Sequence, residues 1–417
     1  MERSVRGCWS SAIVRAVFCL RTLSAFVLTL LALGCSPEPQ PAFPRVPYSF
    51  PTSPDDATRA NNVGCSIPIA GQRMSVEAAL KRWKVPGVSV AAMAGGRVVW
   101  ARAWGFADPA QTRPMTPETI LQAASVSKPM TAVAIMRMVQ FGELSLDEDV
   151  AEYVDGWEAT SGGRHVRLTL RDLLSHSAGL NVHGFAGYDR RKATLPSTLD
   201  VLNGKGNSGR VKVAQKPREK IDYSGGGFIV AQAAVENEVE APFSAAMYEW
   251  LIRPFGLTHS TFEQPIAPVH APYAAFGMAK GGKPVPGGFH VYPEQAAAGL
   301  WTTPTDLLTV AAGLLRGYQG VPAPLSQMMV RQMVTPVKQG ERAGLGWFLN
   351  PTTDGVVEVQ HSGLNEGFTS MIVWRTDGMG VAVMVNGEGP LVHALTEAIG
   401  QEYGWRPGRP ANAGCGH

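Results

Sequence analysis

Three short runs in this chain carry side chains able to share protons: Ser125-Val126-Ser127-Lys128, Tyr223-Ser224-Gly225 and His361-Ser362-Gly363. A serine three residues ahead of a lysine puts hydroxyl and amine on one face if a helix starts at the serine. At such a start the hydroxyl also lies among backbone N–H groups that lack intrahelical partners, at the positive end of the helix dipole. A neutral or strongly hydrogen-bonded amine there helps remove the serine proton, which makes Ser125 a candidate nucleophile and Lys128 its base. Alone, this spacing is weak. Chance supplies roughly one or two such matches in a chain of this length, and an N-cap serine beside a solvated lysine accounts for most of them. Tyr223 precedes a helix-like stretch, where a phenol can relay a proton from the attacked serine to the leaving group if a nearby cation favours phenolate. The plainer reading of Tyr223 is a packed aromatic. His361 ends a strand-like run and is expected to donate a hydrogen bond to the Tyr–Lys network or to a substrate carboxylate. Gly363 would let substrate backbone lie against the strand edge. The arrangement uses neither a Gly-x-Ser-x-Gly elbow nor a distant Asp–His pair, so His361 is not read as a triad base.

Positioning these groups needs a sheet and a helical body. Val85 to Phe106 reads as a β-hairpin about Gly95-Gly96, and strands are predicted at 345–348, 356–359, 368–374 and 379–385, with Asp377-Gly378 as a turn. A closing helix fits Leu391 to Tyr403, with apolar residues at four-residue intervals. Between the ends the pattern is helical: 128–140 with Pro129 in its first turn, 170–174, 226–238, 243–252 and 304–315. The expected fold is α/β of the α+β kind, one antiparallel sheet built from both chain ends with a mostly helical part packed on it. The cleft between them is the default site, and the glycine- and proline-rich Pro265 to Val291 reads as a loop beside it.

The 417 residues are 45% hydrophobic and 17% charged, with 46 glycines and 31 prolines, which excludes a mostly disordered chain and a multi-span membrane protein. The formal charge of +3 belongs to the first 34 residues, which hold four of the 37 basic residues and one of the 34 acidic ones. The rest is balanced, so no basic field attracts a phosphate backbone, and nucleic acid is not an expected partner. Basic residues up to Arg21 precede an apolar run, Leu23 to Leu33, that as a helix spans about 16 Å, too short for a hydrocarbon core of about 30 Å. This reads as a secretory signal over 1–34. Ala32-Leu33-Gly34-Cys35 resembles a bacterial lipobox, which makes Cys35 a lipidation site and the membrane a partner through a lipid anchor. Residues 35–64 read as a tether, with seven prolines between Ser36 and Asp55. Residues 65–417 read as the catalytic domain, its sheet part at about 65–115 and 340–404 and its helical part at about 116–339. Cys65 and Cys415 stand at the ends of that domain, either as one disulfide of an oxidising compartment or as two free thiols. No paired-cysteine motif supports a metal site.

Taken in order, the three runs resemble the serine penicillin-recognising hydrolases of the class C β-lactamase, DD-peptidase and esterase type, over about Val85 to Gly404. Ala123 to Lys128 is similar to that family's nucleophile motif, Tyr223-Ser224-Gly225 to its Tyr-x-Asn, and His361-Ser362-Gly363 to its Lys-Thr-Gly or His-x-Gly. Trp104 to Asp108, Gly142 to Asp147, Leu173 to Leu180, Ala298 to Thr303 and Val385-Asn386 agree as well. The resemblance implies an acyl-enzyme on Ser125, proton transfer shared by Lys128 and Tyr223, and an oxyanion hole of the Ser125 and Leu364 N–H groups. It implies substrate contacts at His361, Ser362, Gly363 and Gly225, and no metal or organic cofactor. His176, within Leu173 to Leu180, is read as structural. Gly225 stands where an asparagine holds the acylamino group of β-lactams and peptides, a loss of about 1–3 kcal/mol of discrimination if nothing compensates. His361 replaces a carboxylate-holding lysine. Both departures favour ester or amide substrates, with β-lactam or D-Ala-D-Ala turnover, or slow deacylation as a penicillin sensor, as the alternatives.

Overall fold

The computed structural model describes residues 40–44, 47–191 and 194–408. The expected signal segment, Cys35 and Cys415 lie outside these residues.

Gly95 and Gly96 take φ of +58° and +73°, the conformation a two-residue hairpin needs, and they join β1 (Gly87–Ala94) to β2 (Arg97–Gly105). At the other end β3 (Phe348–Pro351), β4 (Val357–Asn365), β5 (Phe368–Arg375) and β6 (Gly380–Val385) follow one another as hairpins. Together they form one antiparallel sheet in the order β3-β4-β5-β6-β1-β2, so both chain ends share it. Its central strands are buried on both faces, and residue alternation divides them. Val88, Val90 and Ala92 of β1, with Val381, Val383 and Val385 of β6, face a smaller core. That core is closed by α1 (Pro54–Cys65), α2 (Val76–Trp83) and α8 (Leu391–Glu402). Ala91, Met93, Ala382 and Met384 face the larger core, which α7 (Pro304–Tyr318) and the helical region fill.

In that region α3 (Ser127–Phe141) is buried nearly all round and carries little amphipathic character, as a helix threading a core should. Pro129 sits in its first turn, where no amide partner is lost, and Gly142 ends it at φ +81°. The short α6 (Gln295–Ala298) packs against it and also against α5 (Gly225–Val239), which in turn packs on α4 (Leu170–Leu174).

The tether reading of 35–64 is corrected for its described part. Phe43 is buried and stacks on His270 with ring centroids 4.0 Å apart, and Tyr48 donates a hydrogen bond to Asp306. Pro54 opens α1 with Ser53 as its N-cap, and Ala60 and Val63 of that helix are fully buried. Proline at the first helical position starts a helix rather than preventing one, which composition alone does not reveal. Cys65, the last residue of α1, is disulfide-bonded. Among the described residues no helix is long and apolar enough to cross a membrane.

Candidate active site

Ala124 has φ +50°, a conformation costing a non-glycine residue about 1–2 kcal/mol, and it turns the chain from a short strand into a 3-10 turn, Ala124–Val126, ahead of α3. Ser125 sits in that turn, one residue past the strained position. The turn is braced by neighbours on several sides. Ser127 Oγ donates to the Ala124 carbonyl (2.6 Å) and accepts the Leu300 N–H (3.0 Å). Ser370 Oγ of β5 donates to the Ala123 carbonyl (2.6 Å), and Asn365 Nδ2 donates to Gln122 and to the Ala298 carbonyl.

Lys128 lies one turn on, 2% exposed, and its Nζ donates to Ser125 Oγ (3.1 Å) and to the Ala297 carbonyl of α6 (2.9 Å). Its remaining surroundings are aromatic: Nζ stands 5.0 Å from the centre of the Tyr223 ring and 5.8 Å from that of Phe228. Among the described residues no carboxylate is ion-paired with it. A buried amine held by one carbonyl and one hydroxyl, with no neutralising acid, is placed to exchange a proton with that hydroxyl.

Tyr223 arrives on the strand-like approach to α5, whose N-cap Ser224 accepts the Gly227 N–H and donates to the Val182 carbonyl. The ring is in contact with His176 (centroids 4.5 Å), Phe348 (6.3 Å) and His361 (6.2 Å). Three stretches of chain thus meet around the Lys128 amine.

β4 supplies the opposite wall. A Cβ on Gly363 would lie 2.4 Å from the Ala123 carbonyl and 2.9 Å from the Ser125 nitrogen, so only glycine lets this strand reach the nucleophile turn. The Thr376 N–H donates to the Val357 carbonyl, which fixes odd-numbered residues of β4 as those bonded to β5. β3 pairs with β4 only as far as Gln360. Beyond that point the N–H of Leu364 therefore faces an open edge, on the same strand as the glycine against Ser125.

Three expectations are corrected here. His361 is not the expected donor: its Nδ1 lies 2.7 Å from the Ser362 carbonyl, which can only accept, so the neutral ring keeps a bare lone pair at Nε2. Burial first, and the Lys128 charge second, drive its pKa down to about 3, so it brings no positive charge to a carboxylate. Gly225 does not face a substrate. It is buried, and the space of a side chain there is filled by the Phe185 ring (2.9 Å) and the His183 carbonyl (3.0 Å). Ser362 turns its hydroxyl to the sheet face away from His361 and Gly363, leaving its backbone at the edge. Sequence reading also undervalued His176, whose ring lies on Tyr223; its only signal was the Leu173 to Leu180 run.

The sequence pattern of the beta-lactamase family matches residues 75–402, and the chain belongs to that family. Among curated relatives, Protein flp of Staphylococcus aureus is 23% identical over 337 residues, 78% of this chain and 64% of that protein. Penicillin-binding protein 4* of Bacillus subtilis is 24% identical over 307 residues, 69% of this chain and 65% of that protein. The chain therefore spans under two thirds of the length of these relatives. Among solved structures, the octameric penicillin-binding protein homologue from Pyrococcus abyssi superposes with a TM-score of 0.65 at 24% identity, covering 81% of this chain and 77% of that one. FmtA from Staphylococcus aureus gives 0.65 at 16% identity, covering 90% and 96%. A class C beta-lactamase gives 0.63 at 18% identity, covering 84% and 98%. At these identities the superpositions establish the fold alone, a beta-lactamase and penicillin-binding-protein-like architecture.

Proposed function

We propose that this chain is an exported serine hydrolase, lipid-anchored at Cys35, that cleaves ester or amide bonds through an acyl-enzyme on Ser125. The observation that carries the reading is the buried Lys128 amine, 3.1 Å from Ser125 Oγ and held by the Ala297 carbonyl with no acid paired to it. In the reaction Oγ attacks the substrate carbonyl as its proton passes into the Lys128–Tyr223 pair, one partner of which is deprotonated to receive it. The N–H groups of Ser125 and Leu364 meet the oxyanion, where donors fixed in advance stabilise charge that appears only on attack. Tyr223 hands a proton to the leaving alcohol or amine, and water then releases the acyl group by the same route in reverse.

Two features favour neutral substrates. The third motif opens on an uncharged imidazole, and the place of the second motif's amide is taken by the Phe185 ring. A substrate whose acyl side is apolar and uncharged fits such walls better than one that needs its acylamino group and carboxylate held. The penicillin-binding names among the relatives, said of those proteins alone, are the ground for the other reading, in which penicillin acylates Ser125 and leaves slowly.

Initial rates of the purified protein on p-nitrophenyl esters of varied chain length, D-Ala-D-Ala peptides and a chromogenic cephalosporin separate the two. The expected order places an ester first, with kcat/KM above the cephalosporin by roughly 100-fold or more. Faster cephalosporin turnover, or a persistent penicillin adduct with no ester turnover, overturns the substrate assignment.

A further inference from the structure

His176 holds the chain on both sides of Tyr223. It stands at φ +59° in the turn after α4, and from there its carbonyl accepts the Asp222 N–H (2.8 Å) while its Nδ1 accepts the Ser224 N–H (3.1 Å). One residue thereby fixes both neighbours of the tyrosine, and its ring lies 4.5 Å from the phenol ring. Accepting at Nδ1 also settles the tautomer: the neutral ring carries its proton on Nε2. His361 has the opposite form, with Nδ1 protonated toward the Ser362 carbonyl and a lone pair at Nε2. Both Nε2 atoms are buried without a partner among the described residues. Burial first and the Lys128 charge second keep both rings uncharged, with His361 adding to the effect at His176.

We propose that His176 is the positioning residue for Tyr223, and that His176 and His361 flank the phenol as fixed imidazoles of opposite tautomer, one presenting an N–H and the other a lone pair. The proposal rests on the acyl-enzyme reading for its kinetic consequence. A phenol that donates a proton in one half-reaction and accepts it in the other needs a constant position through both, and a buried N–H and a buried lone pair on either side make neither direction depend on solvent.

Steady-state kinetics of His176→Phe and His176→Asn on a p-nitrophenyl ester test it. Phenylalanine keeps the ring but loses the Nδ1 acceptor. Asparagine keeps an acceptor and tolerates positive φ. The expected result is a fall in kcat of roughly 100-fold for His176→Phe with KM within about threefold, and recovery to at least about a tenth of the original kcat in His176→Asn. A His176→Phe enzyme within about threefold of the original kcat, or an equal loss in both variants, overturns the positioning role. Should His176→Phe fail to fold, nitrogen-15 NMR of the unsubstituted protein decides. Opposite neutral tautomers at His176 and His361 between about pH 6 and 8 support the proposal, and a shared tautomer or an imidazolium contradicts it. Ester turnover that survives Ser125→Ala would overturn the acyl-enzyme reading instead, and leaves the tautomer result standing.

Discussion

Glu294 lies at the N-cap of α6, three residues before the carbonyl that holds Lys128, and is 1% exposed with both carboxyl oxygens unpartnered among the described residues. Burial pushes its pKa up to about 7. An acid raised in the folded state stabilises the fold fully below its unfolded pKa, and that contribution is lost as pH rises through the folded value. The window here runs from about pH 4.5 to somewhat above 7, and the loss amounts to about 3 kcal/mol as an order of magnitude. Glu294→Gln removes the titration. Urea unfolding at pH 4.5 and pH 8.5 should show the original protein losing stability relative to the variant at the higher pH, and an unchanged difference between the two would refute the burial argument. Ser125 and Lys128 were legible in the sequence because their geometry is local, three residues apart across the 3-10 turn that leads into α3. The orientation of His361 was not, because the carbonyl of its own neighbour sets the tautomer. Gly225 was misread because residues 183–185, about 40 positions away, fill the space its missing side chain leaves.

Elements hold the site through a few buried polar joints. Asn386, the residue after β6, accepts the Gly87 N–H (2.8 Å) and donates to the carbonyls of Phe106 (3.1 Å) and Phe276 (3.0 Å). It therefore joins the start of β1, the end of the β1–β2 hairpin and the loop expected at 265–291, with both N–H groups of its amide and one of its two oxygen lone pairs engaged. Asn386→Ala would leave one N–H and two carbonyls without their partner, a cost of about 3 kcal/mol. The melting temperature should fall by several degrees as a result. A variant as stable as the original would mean that water replaces the amide at no cost. The β1–β2 hairpin was legible from its glycine turn, since two successive residues with positive φ admit few other sequences. The small ribbons that pair Tyr188–Asp189 with His290–Val291, and Leu121–Gln122 with Trp301–Thr302, were not. Pairs of two residues carry no periodicity of their own, yet the second of these sets the approach to Ser125.

Over the whole molecule the chain ends build the sheet and the middle builds the helical body, with the candidate site where α3, the start of α5 and the edge of β4 converge. Sequence order alone foretold this sheet, because strand patterns occupy both ends and leave the centre helical. It did not foretell that residues 40–44 and 47–65 pack onto the body, for their anchors (Phe43 on His270, Tyr48 on Asp306, α1 on α8) are all long-range. The central claim is chemical and concerns one atom. Intact-protein mass spectrometry with peptide mapping, on protein quenched within the first turnover of a p-nitrophenyl ester, reads it directly. The account predicts a single acyl group on Ser125, absent in Ser125→Ala along with turnover; an acyl group on another residue, or undiminished turnover in Ser125→Ala, would contradict it.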